Sequence, residues 1–181
     1  MSCIWVNFDS QKYLEYFPRT SSWVNSYRPY LLQALELTGG GNVLEMGVGN
    51  NSSPFLRRYC KEHGRALYSY DNDREWAHKF DACCVGEQAE DWERSDYAMR
   101  NYTVAFIDHS PPFHRPIAVR NLLNKASIFV IHDTQPSHNF VYNLDTIFSL
   151  FKYVDHYCEE ESWATICSNF YDVTRPPHER R

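Results

Sequence analysis

The chain has 181 residues, with 18 Lys+Arg against 23 Asp+Glu and a formal net charge of −5 at pH 7. That length suits one domain around one core, and that charge argues against a general nucleic-acid binder or a polybasic membrane-surface protein. Hydrophobic residues make up 43% and aromatic residues 16%, enough to bury a core, while no uninterrupted apolar run exceeds four residues; a transmembrane helix and a secretory leader are not expected, and a cytoplasmic protein is. Residues 1–24 read as an N-terminal segment, 25–170 as the core and 171–181 as a tail.

A helix is expected from Tyr27 to Leu37, stopped by Gly39-Gly40-Gly41. Asn42 to Met46 reads as a strand and Gly47 to Asn51 as a turn. Ser52 or Ser53 caps the next helix, with Pro54 near its first position and Gly64 past its end. Ala66 to Tyr70 is a second strand, followed by a short helix from Arg74 to Phe80. Ala82 to Val85 is a weak third strand, with Cys83 and Cys84 as buried small side chains. Tyr102 to Ile107 is a strong fourth strand. A helix from Pro116 to Asn124, a fifth strand from Ser127 to Ile131 and a long helix from Asn139 to Tyr153 follow. Val154 to Cys158 and Trp163 to Ser168 then read as an antiparallel pair joined across Glu159-Glu160-Glu161. Six cysteines are too few for a disulfide scaffold, and no pair has C-x-x-C spacing, so reduced thiols are expected rather than a zinc knuckle.

Strands alternating with helices, each strand a short continuous apolar run, imply an α/β protein with a mostly parallel sheet covered on both faces. Ligands of such sheets lie beyond the carboxyl ends of the strands, at the switch in strand order. The residues at those ends are Glu45, Gly47 and Gly49, then Asp71, Asp91, Asp108 with His109, and His132 with Asp133. An acidic residue follows almost every strand. Val43-Leu-Glu-Met-Gly-Val-Gly49 ends in G-x-G, but Ser52 stands where the dinucleotide fingerprint needs its third glycine, which disfavours a pyrophosphate ligand. Asp71, 22 residues after Gly49, suits a carboxylate that accepts from ribose hydroxyls, with Asp73 free to cap the following helix. Glu45, beside the bend, suits a positive group.

Val43-Leu-Glu-Met-Gly-Val-Gly49, Tyr70-Asp71, Glu90-Asp91-Trp92, Val104-Ala-Phe-Ile-Asp108 and Val130-Ile-His-Asp133 together resemble the ordered motifs of class I S-adenosylmethionine-dependent methyltransferases over residues 25–170. The resemblance implies a Rossmann-like three-layer sandwich with seven strands, the last antiparallel. It places Gly47 and Gly49 under the methionine and ribose of the cofactor, Glu45 near the methionine ammonium, Asp71 on the ribose, and Asp91 and Trp92 around the adenine. Asp108 lies at the reaction centre.

Three readings of the acceptor side follow. The first is methylation of a hydroxyl oxygen on a small molecule, with His109 as the base because its ordinary pKa is near neutrality. Asp108 and Asp133 support it or hold a divalent cation such as Mg2+. That pattern is similar to catechol-type O-methyltransferases, which have Asp-Asn after the fifth strand where this chain has Asp133-Thr134. The second is amino-group methylation, since Ser110-Pro111-Pro112-Phe113 resembles the S/D/N-P-P-Y/F motif of amino methyltransferases. The third is a cofactor-binding protein without turnover. His114, Arg115 and His138 read as solvated loop residues near the same rim, able to orient an anionic substrate. Trp23, Tyr27 and Tyr30 read as packing residues or a cover over the cofactor. The expected partner is a small-molecule substrate, with neither nucleic acid nor membrane. A homodimer could complete an open acceptor pocket.

Overall fold

The computed structural model describes residues 27–158 and 162–174. In chain order the elements are α1 (Arg28–Thr38), β1 (Val43–Met46), α2 (Ser52–Glu62), β2 (Leu67–Asp71), α3 (Arg74–Lys79), β3 (Cys83–Cys84), α4 (Ala89–Arg94), β4 (Tyr102–Ile107), α5 (Arg115–Leu122), β5 (Ala126–His132), α6 (Asn139–Tyr142), α7 (Asp145–Phe148), β6 (Tyr153–Tyr157) and β7 (Ala164–Ser168). The strands form one sheet in the order β3-β2-β1-β4-β5-β7-β6. β7 runs antiparallel to both its neighbours, and all the other pairings are parallel. Order reverses beside β1, so the carboxyl ends of β1, β2 and β4 converge on one crevice.

Period-two alternation divides the core between the two faces of the sheet. Val43, Val104, Phe106, Ile128 and Val130 pack with Leu31, Leu32 and Leu35 of α1 and with Phe55, Leu56 and Tyr59 of α2. Leu44, Met46, Ala105, Ile107, Phe129 and Ile131 face the other way, toward Trp92, Ala118, Val119, Leu122 and Ile147. Burial on both faces is why these strands read as unbroken apolar runs. No helix among the described residues is long and apolar enough to cross a membrane.

The structure changes several expected elements. Asn51, not Ser52 or Ser53, occupies the N-cap of α2, and its side chain makes no capping bond. Ser53 is turned inward instead. The long helix over 139–153 is two short pieces. Asn143 takes φ 52°, a left-handed turn that asparagine tolerates, and Asn139 clamps Asp145 with one donated and one accepted hydrogen bond. Tyr153 therefore belongs to β6. Cys83 and Cys84 are exposed on the two-residue edge strand, not buried, because among the described residues no strand pairs beyond β3. The packed chain also runs past 170: Val173 is buried, and Gln33 Nε2 donates to its carbonyl at 3.1 Å. Trp23 and Glu159–Glu161 lie outside the described residues, whereas Tyr27 and Tyr30 are core residues.

Candidate functional site

The bend after β1 depends on Gly47. It adopts φ +88°, and a Cβ there would lie 2.6 Å from the Asp108 carbonyl group and 2.7 Å from the His109 nitrogen. Only glycine lets the ends of β1 and β4 pass so closely. Gly49 has no such constraint, since its Cβ would meet only Ser52 Oγ at 3.7 Å. Asp71, at the end of β2, fastens the bend: Oδ2 accepts from Val48 N at 2.8 Å and Oδ1 from Asp73 N at 2.8 Å. Burial raises its carboxyl above the ordinary value against those hydrogen bonds. Each oxygen keeps a further lone pair. Asp73 alone caps α3, accepting from Glu75 N and Trp76 N.

Glu45 does not face the ligand side of the bend. It shares the sheet face of Val43 and points at α2, fully buried. Ser53 Oγ donates to Oε1 at 2.8 Å and Ser69 Oγ to Oε2 at 2.8 Å. Ser53 Oγ also accepts from Gly49 N at 2.9 Å, so the carboxyl braces the bend from behind through a serine. Desolvation raises Glu45 to about 7, although the serine hydrogen bonds oppose it. Glu45 thus lies behind the bend and reaches its backbone through Ser53.

Asp91 lies in the first turn of α4. Its Oδ2 accepts from Gln88 N at 3.1 Å, closing a capping box, and its Oδ1 pairs with Arg94. Trp92 is completely buried; Nε1 donates to Ser110 O at 2.8 Å, and the ring packs against His109 with centroids 4.4 Å apart. It presents no open face to an adenine. His109 is buried too, with Nε2 3.0 Å from His114 Nδ1. Burial, then Arg115 and His114, hold its imidazole well below the ordinary value. His109 thus lies beneath the rim, inaccessible to an acceptor, and the expected base role fails for that reason.

The rim itself is a network. Asp108 and Asp133 are partly exposed, with side chains 26% and 24% accessible. Between them lies His132, at the end of β5: Nδ1 is 3.2 Å from Asp108 Oδ1, and Nε2 is 3.0 Å from Ser162 Oγ. Ser162 Oγ donates to Asp133 Oδ1 at 2.6 Å, so toward His132 it acts as the acceptor. Both ring nitrogens then face acceptors, which favours the imidazolium. Burial opposes that charge, but the Asp108 carboxylate and its hydrogen bond, with Asp133, raise His132 above its ordinary value. Asp133 is itself held low: burial works against ionisation, but His132, Ser162 and Arg115 outweigh it. Asp133 has φ 55°, a left-handed backbone for a non-glycine residue that turns it back toward the network. Tyr27 closes the inner side, edge-on to His132 at 4.9 Å.

The tertiary structure thus brings together Asp108 and Asp133, sets Gly47 against the Asp108 backbone with Asp71 fastening the same bend, and leaves Glu45, Trp92 and His109 behind the surface. Arg115 and His114 are buried rather than solvated. His132 was placed at the rim by its position after a strand, but only its contacts give it a role. Ser162 had no signal, because its partners lie 29 and 30 residues away. One ligand atom each of Asp108, His132 and Asp133 lies within 4.8 Å of the others, a set of the kind that holds a metal. It fits a divalent cation poorly. Arg115 Nη2 already lies 3.1 Å from Asp108 Oδ1 and Nη1 3.6 Å from Asp133 Oδ2, and Thr134, in the asparagine position, turns its hydroxyl into the sheet to accept from Thr165 at 2.8 Å.

No family profile matches the chain, and no curated protein does either. Solved structures do match. The chain is similar to a protein assigned as an O-methyltransferase from Klebsiella pneumoniae, with TM-score 0.60, 14% identity, and 93% of each chain covered. It is similar to an O-methyltransferase from Bacillus cereus in complex with SAH, with TM-score 0.54, 11% identity, and 88% of this chain and 87% of that one covered. It is also similar to the human METTL16 catalytic domain in complex with an RNA hairpin, with TM-score 0.50, 12% identity, and 87% of this chain and 74% of that one covered. Identities this low speak for the fold and not for the substrate. On this likeness and on its own strand order with β7 reversed, the chain has the Rossmann-like fold of class I S-adenosylmethionine-dependent methyltransferases.

Proposed function

We propose that the chain is an enzyme that transfers a methyl group from S-adenosylmethionine to a hydroxyl oxygen of a small acceptor at the Asp108–Asp133 rim. The observation that carries this reading is the hydrogen-bonded network of Asp108, His132, Ser162 and Asp133 beside a bend fixed by Asp71. The O-methyltransferase neighbours, one of them holding SAH, support it. The cofactor supplies an electrophilic methyl group on a sulfonium. Asp71 would hold the ribose hydroxyls, the Gly47–Gly49 backbone would lie beneath the cofactor with Glu45 bracing it through Ser53, and Asp91 would serve the adenine end.

Methyl transfer is an in-line displacement, so alignment of the oxygen matters most. Asp108 accepts the acceptor's O–H and points its oxygen at the methyl group. When bound, the cofactor would give up its methyl group and leave as the thioether; the hydroxyl proton of the acceptor passes to Asp108 and on to His132. Neutral His132 can take that proton and imidazolium cannot, so the rate rises as pH climbs above about 6.5, the ordinary histidine value, through the raised value of His132.

Calorimetry with S-adenosylmethionine and SAH, followed by methyl-donor turnover on panels of hydroxyl and amine compounds, tests the reading. Heat of binding with turnover on hydroxyl compounds is expected. Folded protein that gives no heat overturns it, turnover untouched by Asp108→Ala overturns the role of Asp108, and binding without turnover on any panel compound favours the non-catalytic alternative. Amine methylation draws support from Phe113, 53% exposed at the end of the Ser110–Phe113 loop. Against it, the Ser110 carbonyl already accepts from Trp92 and the Pro111 carbonyl from His114 N.

A further inference from the structure

The pattern expected from the sequence would hold a divalent cation on Asp108 and Asp133, and the structure sets the buried Arg115 guanidinium against both carboxylates. We infer that the Arg115 guanidinium takes the place of that cation, and that the Asp108–Asp133 rim works without metal. Only the activity arm of the test below rests on the proposed function.

Arg115 opens α5, and its side chain is 4% exposed. Its donors are committed to the ends of the two strands that carry the rim. Nε donates to the His109 carbonyl at 3.0 Å, Nη1 to the His132 carbonyl at 2.8 Å, and Nη2 to the Asp108 carbonyl at 3.2 Å and to Asp108 Oδ1 at 3.1 Å. Nη1 also pairs with Asp133 Oδ2 at 3.6 Å. The Tyr142 ring covers the guanidinium, 5.0 Å from its centre. A planar fork with five donors suits this task, because it can reach two carboxylates and three carbonyls at once.

Charge and donor count point the same way. Two carboxylates already face one guanidinium of fixed charge, with Nη2 3.1 Å from Asp108 Oδ1 and Nη1 3.6 Å from Asp133 Oδ2. A divalent cation would add buried positive charge beside a fixed one, which the low local dielectric penalises. The third candidate ligand, His132, has both ring nitrogens engaged, one with Asp108 and one with Ser162. Asp133 Oδ1 is held by Ser162, and the Thr134 hydroxyl faces away from the rim.

The test uses Mn2+ as the probe on chelator-treated full-length protein, followed by paramagnetic resonance. Wild type is expected to leave the free Mn2+ signal unchanged, and methyl transfer is expected to be the same with chelator or with Mg2+. Arg115→Ala, which removes the guanidinium and leaves three ligands, is expected to gain stoichiometric Mn2+ binding that Asp133→Asn added to it abolishes. Arg115→Lys keeps the charge and is expected to stay free of Mn2+; it stands in as the decisive variant, with wild type, if Arg115→Ala does not fold. Stoichiometric Mn2+ on wild type that Asp108→Asn removes, Mn2+ uptake by Arg115→Lys, chelator-sensitive turnover restored by Mg2+, or a folded Arg115→Ala that takes up no Mn2+ would each overturn the inference. The metal readout needs neither cofactor nor acceptor, so it stands or falls apart from the methyl-transfer reading.

Discussion

At the scale of single residues, environment decides which of several chemically similar side chains can act. His109 and His132 each follow a strand, yet one lies under Trp92 with its imidazole pushed down and the other lies at the rim with its imidazole raised. Asp108→Asn is expected to slow methyl transfer by roughly 10²-fold or more. His132→Gln should remove the rise in rate above pH 6.5, the histidine reference value, as read in a pH–rate profile. His109→Gln should instead lower the melting temperature and leave that profile in place. If His109→Gln abolishes the pH dependence, the assignment is wrong. Glu45 makes a separate prediction. Its folded value of about 7 lies above its ordinary 4.5, so the stability it represents is full below pH 4.5 and is lost as pH rises through about 7. Denaturant titrations should show that loss, on the order of 3 kcal/mol, and Glu45→Gln should flatten it. Glu45 was legible as a strand-end acid, but its direction was not: which face a strand residue takes depends on the register of its neighbours, here Val43↔Val104.

Elements are held by short-range contacts that the sequence reveals unevenly. Both glycines of the bend look equivalent in the string Gly47-Val48-Gly49, but only Gly47 meets the β4 end. Gly47→Ala is therefore expected to cost at least about 2 kcal/mol and to weaken cofactor binding, while Gly49→Ala leaves folding nearly unchanged; chemical denaturation of the two variants compares them directly. Helix limits were legible where a glycine or a carboxylate supplied the stop or start, as at Gly39 and Asp73. The break between α6 and α7 was not, because a left-handed asparagine leaves no apolar gap in the pattern. Ser53 misled as a cap for a related reason. A serine beside a helix start caps only when nothing buried competes for it, and Glu45 does.

For the whole molecule, the sheet sorts its cysteines by depth. Cys60 and Cys167 are buried and Cys83 and Cys84 exposed, so brief alkylation of the folded protein, read by peptide mass spectrometry, should label the last two and spare the first two until unfolding. Binding of S-adenosylmethionine should raise the melting temperature in proportion to the logarithm of its concentration. The amino-acid sequence by itself determined the strands, their parallel alternation with helices, the reversed final pair and the acids at the carboxyl ends, since each is written in local periodicity, turn residues and apolar runs. Tertiary structure alone decided the direction of Glu45, the burial of His109 and Trp92, and the joining of Arg115, His132 and Ser162 into one rim. Those outcomes rest on contacts between residues far apart in the chain, whose energies depend on burial and on neighbouring charge, and no local pattern encodes either.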